Sequence, residues 1–156
     1  MANEGKRWEK NFKDSMGDTC IRLYDTTNGF AGVNNPCDFI YYSYPFMFMF
    51  ELKSVASKRL PFSNITDKQF ESLIKFNKEI GIKAGICVEF REVKECYYIP
   101  INTIEKYKLL HYKSITNDMC KEDRSIILIP TVYKQVNCKI IKSKFDDELH
   151  EVRIWN

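Results

Sequence analysis

The sequence predicts an α/β domain, a mixed sheet flanked by helices, and three observations carry that expectation. Two adjacent runs, Cys37–Tyr44 and Phe46–Lys53, are dense in aromatic and branched residues and are broken only at Tyr44-Pro45. Segments before and after them place apolar residues at helical spacing. Two further strand-like runs follow the second helical segment, so strands and helices interleave along the chain.

Taken in order, Gly5–Met16 is rich in helix formers and sets Trp8, Phe12 and Met16 four residues apart on one stripe. Gly17-Asp18 ends it, and Thr19–Tyr24 reads as a short strand. Turn formers (Asn28, Gly29, Gly32, Asn34, Asn35, Pro36) make 25–36 a loop. The run Phe46-Met47-Phe48-Met49-Phe50 lacks polar alternation, as a strand covered on both faces would. Ser54–Asn64 is a polar connection. Ile65–Ile80 is expected as a helix, with Phe70, Leu73, Ile74 and Phe76 apolar and Gly81 as its stop. Strands over Lys83–Phe90 and Glu95–Ile99 and a helix over Ile101–Tyr112 come next. Ser125–Tyr133 is strand-like, whereas Lys134–Lys144 carries four lysines and no clear period.

With 156 residues, 44% hydrophobic and 29% charged, the chain fits one domain spanning 1–156 with a proper core. A net charge of +3 permits a nucleic-acid partner without requiring one. The start, Ala2–Lys13, is polar and charged, and the longest apolar run, Phe39–Phe50, is far short of the roughly 20 residues that span a bilayer. A cytoplasmic protein away from membranes is the expectation. The six cysteines form no C-x-x-C pair, and neither His111 nor His150 lies near enough to suggest a zinc motif. Buried free thiols are the simple reading.

Chemistry concentrates at one place. Asp38 begins one hydrophobic strand and Glu51 lies near the end of the next, followed two residues later by Lys53. Residues i and i+2 of a strand share a face, so Glu51 and Lys53 project together and Leu52 does not. A hairpin across Tyr44-Pro45 would bring Asp38 to Glu51. Two carboxylates beside an apolar core are costly unless paired or bound to metal. Oxygen donors suit Mg²⁺, and a neighbouring Lys can orient or help deprotonate a water for attack on phosphate. The plain alternative is an ordinary strand ion pair next to a loop boundary.

Asp, twelve intervening residues, Glu, one residue, Lys resembles the PD-(D/E)xK nuclease superfamily. The detail is similar to the RecU-type Holliday junction resolvases. The matching stretches are Phe50-Glu51-Leu52-Lys53, Leu60-Pro61-Phe62, Ile65–Gln69, Gly81–Val88, Tyr97-Tyr98-Ile99-Pro100 and Lys113-Ser114-Ile115. They run colinearly over about Asp38–Ile115, half of the chain. The resemblance implies a restriction-endonuclease-like fold and a dimeric enzyme of bacterial or phage type. It would cut four-way DNA junctions in recombination or repair by metal-activated water, with Mg²⁺ as cofactor and Mn²⁺ as substitute. Asp38 and Glu51 would hold the metal, and Lys53 would position or activate the water. Gln69 matches a glutamine that supports such sites, although Thr66-Asp67-Lys68-Gln69 also fits a capping box. Glu9 matches an acidic residue that can complete the metal shell, or it is simply a solvated helix carboxylate.

Two departures stand out. Cys37 occupies the place where the resolvases often carry Thr. The loop 25–36 contains no Lys or Arg and is about a dozen residues long, where those enzymes carry a long basic stalk. Phosphate contacts are expected from Lys58 and Arg59 after the active strand, and from Arg7 and Lys10, with Lys6 and Lys13, on the first helix. Lys134, Lys139, Lys142 and Lys144 form a further basic group, whereas Asp146, Asp147, Glu148 and Glu151 turn the end of the chain acidic. Part of the aromatic run could bury a homodimer interface. The alternatives are another structure- or site-specific nuclease of the superfamily, or a catalytically silent DNA-binding protein that keeps the fold.

Overall fold

Asn3 starts the first helix. Its side chain accepts from the Lys6 N–H at 3.1 Å, and α1 (Glu4–Met16) ends where Gly17 turns to φ 77°. The computed structural model describes residues 3–24 and 35–152, so the predicted loop 25–36 lies mostly outside the described residues. Trp8, Phe12 and Met16 are fully buried, as their spacing predicts, and the Trp8 indole donates to the Cys87 carbonyl at 3.0 Å.

Six strands form one mixed sheet: β1 (Cys20–Arg22), β2 (Phe39–Ser43), β3 (Phe46–Val55), β5 (Ile82–Phe90), β6 (Glu95–Pro100) and β8 (Ile127–Ile129). Their spatial order is β1-β2-β3-β5-β6-β8. Only β3 and β5 run parallel, and the crossover between them carries β4 (Arg59–Pro61), a single 3-10 turn (Phe62–Asn64) and α2 (Asp67–Asn77). The β2–β3 hairpin turns at Tyr44-Pro45, and its ladder ends with Phe39 opposite Phe50.

Strand alternation divides β3 between two cores. Phe48, Phe50 and Leu52 join Trp8, Phe12 and Tyr98 on the α1 face. Met49 and Val55 join Leu73, Ile86, Val88 and Ile99 on the α2 face. Complete burial of each large side chain contributes about 1.5–3 kcal/mol. The unbroken apolar run of β3 thus reflects cover on both faces, as expected.

The structure corrects several boundaries. β3 continues to Val55, and the expected polar connection holds β4, which pairs with the unpredicted β7 (Ser114–Thr116). α2 starts at Asp67 because Thr66 caps it, and α3 (Ile101–Leu109) stops short of Tyr112. The tract Ser125–Tyr133 is two strands, β8 and β9 (Thr131–Lys134), divided at Pro130, which has no N–H for a ladder. β9 pairs with β10 (Asn137–Ile140) in a separate hairpin. Two helices, α4 (Asn117–Glu122) and α5 (Lys142–Val152), went unpredicted. In α5 the lysines mask an apolar spacing of four: Phe145 and Leu149 are fully buried. No described helix is long and apolar enough to cross a membrane. All six cysteines are buried free thiols.

The tightest point in the sheet is Gly85, in register between Phe50 and Pro100. A Cβ there would lie 2.4 Å from the Ile99 carbonyl oxygen and 2.7 Å from the Tyr98 ring. Gly85→Ala is therefore expected to lower unfolding free energy by about 1–3 kcal/mol through overpacking. Urea titration measures this, and an unchanged midpoint would refute the close approach.

Candidate active site

The end of the β2–β3 ladder builds the site. Continuing its register by one step sets Asp38 opposite Glu51. The Asp38 backbone is held from both sides: its carbonyl accepts from Leu23 N–H at 2.8 Å, and its N–H donates to the Phe50 carbonyl at 3.0 Å. Its side-chain Oδ2 accepts from the Leu52 N–H at 2.8 Å, so the carboxylate takes the place of a ladder partner. Asp38 is thereby fixed against β3 without a further strand residue.

Glu51, only 6% exposed, faces α2 together with Lys53. The first turn of α2 supplies Gln69, and this side chain performs two tasks at once. Its Oε1 accepts from the Thr66 N–H at 3.0 Å while Thr66 Oγ1 accepts from the Gln69 N–H at 3.1 Å, which completes the capping box. The same Oε1 accepts from Lys53 Nζ at 3.1 Å, and Nε2 donates to Glu51 Oε1 at 2.8 Å. Lys53 Nζ lies 4.0 Å from that Glu51 oxygen. The two readings of Gln69 open in the sequence are compatible.

The electrostatics of the pair are strained. Burial, then the charge of Asp38, pushes Glu51 up to about 8, with Lys53 opposing. Asp38 is also raised by burial, against the Leu52 N–H and the Lys53 charge. Like charges opposite each other on two strands are unfavourable. Burial and the mutual charge favour a proton held by the pair, with the larger rise at Glu51. A buried and a half-buried carboxylate that resist full ionisation together fit a hard divalent ion.

Glu9 sits at the margin. Its charge raises Glu51 further, but its Oε2 pairs with Arg22 Nη2 at 2.5 Å. Arg22, which sequence reasoning missed, also lowers Asp38 by its charge and lies over the Tyr24 and Phe39 rings. No local sequence signal marks it, because its partners Glu9 and Phe39 come to it only in the folded sheet. Cys37 donates its thiol to the Phe39 carbonyl at 3.2 Å.

The predicted DNA contacts differ in availability. Lys58 and Arg59 are exposed after β3, although Arg59 Nη1 donates to Ser114 Oγ at 2.5 Å. Arg7 is turned onto Glu4, and Lys10 pairs with Asp14 at 2.6 Å within α1. Lys10 remains largely exposed in that pair, whereas Arg7 is mostly covered.

Protonation of Glu51 makes a stability prediction. An unfolded glutamate loses its proton near 4.5, whereas Glu51 keeps its own to about 8 in the folded protein. The folded state then binds more protons across that window, so stability without metal falls as pH rises through it. Glu51→Gln is expected to flatten this fall and to stabilise the metal-free protein near the upper end by at least about 1 kcal/mol. Chemical denaturation in a chelator at both ends of the window reads the difference; parallel pH profiles for the two proteins would sink the assignment.

Comparisons with known proteins complete the picture. The sequence profile described as "RecU: Recombination protein U" matches residues 20–142. No curated protein sequence matches the chain. Among solved structures, the chain is similar to Archaeoglobus fulgidus Hjc, a Holliday junction resolvase from an archaeal hyperthermophile, at 20% identity and a TM-score of 0.41. That match covers 53% of this chain and 63% of the archaeal protein, so the chain spans less than two thirds of that relative. With the profile covering β1 through the start of α5, this chain belongs to the RecU, or Recombination protein U, family.

Proposed function

We propose that the protein is a divalent-metal-dependent endodeoxyribonuclease that resolves four-way DNA junctions. The observation that carries this reading is the convergence of Asp38, just before β2, with Glu51 and Lys53 of β3 and Gln69 of α2. Asp38 and Glu51 would hold Mg²⁺, or Mn²⁺ in its place, with Glu9 as a further carboxylate within electrostatic reach. The ion, when bound, supplies Lewis-acid polarisation of the phosphate and eases formation of the nucleophile from water.

The chain's own residues do the rest. An ammonium carries three N–H donors. Lys53 uses one of them on Gln69, which leaves donors for the attacking water and for the charge that develops on the scissile phosphate. Gln69 holds both Glu51 and Lys53 on a capped helix start, so its role is positioning. Lys58 and Arg59, exposed after the active strand, would neutralise phosphates of the bound DNA. Opposed cuts across a junction need two sites, so the reading includes a homodimer. Tyr42 and Tyr44, 60% and 73% exposed around the β2–β3 turn, offer aromatic area for it. The cytoplasm is the compartment in which this reaction would take place.

One observation favours a second substrate. The loop 25–36 has no Lys or Arg to enter a junction centre, which suits another branched DNA better.

Purified protein with Mg²⁺ or Mn²⁺ is expected to cut four-way junctions symmetrically and to spare linear duplex. Preference for a flap or fork would select the second reading. Intact plasmid, flap and junction substrates under both metals would leave a silent DNA-binding protein.

Asp38→Asn should abolish cleavage, and Lys53→Ala should cost about 10²–10⁴-fold. Gln69→Glu retains an acceptor for the Thr66 N–H but sets a carboxylate against Glu51. We expect cleavage to fall at least about tenfold, equivalent to about 1.4 kcal/mol, with helix content kept. Circular dichroism and single-turnover rates measure both parts; full activity in Gln69→Glu would remove the positioning role.

A further inference from the structure

A second cluster of metal-ligating side chains lies on the opposite, α1-facing side of the sheet. Glu89 of β5, Cys96 of β6 and Cys138 of β10 each offer a ligand atom, and these atoms lie within 4.8 Å of one another. All three residues are buried, with Glu89 1% exposed. We propose that they form a zinc site that fastens the β9–β10 hairpin to the main sheet.

The buried carboxylate makes the argument. Glu89 Oε1 accepts from Ser54 Oγ at 2.7 Å and Oε2 from the Tyr133 hydroxyl at 2.9 Å. Both partners are neutral. Among the described residues no Lys or Arg forms an ion pair with Glu89; Arg91 reaches it only by donating to Ser54 Oγ at 2.7 Å. A carboxylate this deep is costly without a counter-charge, and the groups that face it are two thiols.

Cys96 Sγ lies 3.3 Å from the Tyr133 hydroxyl, and Asn11 Nδ2 lies 4.0 Å from Cys138 Sγ. Sulfur donors select a borderline-soft ion over Mg²⁺. A tetrahedral zinc site with bonds of about 2.3 Å to sulfur sets its ligand atoms roughly 3.8 Å apart, a modest contraction of the observed group. Tyr133, in contact with both Glu89 and Cys96, borders the fourth position.

Binding would release the two thiol protons to solvent. Two thiolates and one carboxylate around Zn²⁺ leave a single negative charge, which Arg91 offsets through Ser54. The closed loop joins positions 96 and 138, so the ion would replace a long stretch of chain connectivity with a direct link between β6 and β10. Ser54 follows Lys53 on β3, which places the link behind the strand that carries the active site.

Cobalt substitution tests the site without any variant. Apo protein titrated with Co²⁺ is expected to show thiolate-to-cobalt charge transfer and the intense visible bands of a tetrahedral centre. Protein refolded with Zn²⁺ should retain one equivalent after gel filtration and melt at higher temperature than the chelated form. Cys96→Ser and Cys138→Ser should each lose both signals, Glu89→Gln should weaken zinc retention, and Asp38→Asn should leave them intact. A cobalt spectrum without thiolate bands, or zinc retention indifferent to both cysteine variants, overturns the proposal. A Cys96–Cys138 disulfide in freshly isolated protein does so as well, since those sulfurs would then be a redox pair.

Discussion

Asp38 and Glu51 face each other at the end of an antiparallel ladder, in a place where water is scarce. The hairpin register sets them opposite each other, and the ladder's last hydrogen bond is made by a side chain. Much of the surrounding structure serves to keep two like charges there. α2 arrives with Gln69 to hold one oxygen of Glu51, and Lys53 stands on the same face to moderate the field. Arg22 binds the third carboxylate, Glu9, which would otherwise add its full charge to the pair. Buried repulsion of this kind is stored cost, and a bound cation converts it into affinity.

The same register explains why β3 is the pivotal strand. Its even residues from Phe48 to Leu52 complete the α1 core, and Met49 and Val55 anchor the α2 core. Glu51 and Lys53 interrupt the second series between two anchors. A slip of one residue would turn both charges into the α1 core and drive Phe48, Phe50 and Leu52 into the α2 face. The aromatic packing of Phe12, Phe48, Phe50 and Tyr98 therefore fixes the chemistry as well as the fold.

How far the sequence disclosed this depended on how local the cause was. Trp8, Phe12 and Met16 announced α1, and Tyr44-Pro45 between two aromatic runs announced the hairpin, since each signal is complete within one short continuous stretch. The proximity of Asp38 to Glu51 followed from that hairpin. Arg22 could not be placed, because its meaning depends on Glu9 and Phe39, which reach it only through the sheet. The C-terminal third was obscure for a similar reason. Phe145 and Leu149 carry α5, yet the surrounding lysines and acids dilute the periodicity that would reveal it. Cys96 and Cys138 stand 42 positions apart, so no spacing rule joins them, whereas one hairpin does.

Cys37 stands beside the two carboxylates without adding an ionised sulfur to them. It precedes Asp38 directly, and a thiolate there would give the centre a soft donor and an appetite for zinc. Burial, reinforced by the charges of Glu51 and Asp38, pushes this thiol up to about 12. Its S–H is also spent on the Phe39 carbonyl. Burial above all keeps this sulfur protonated, which leaves the two carboxylates as the ionisable oxygen donors beside it. At neutral pH Cys37 is therefore a neutral side chain turned toward the backbone.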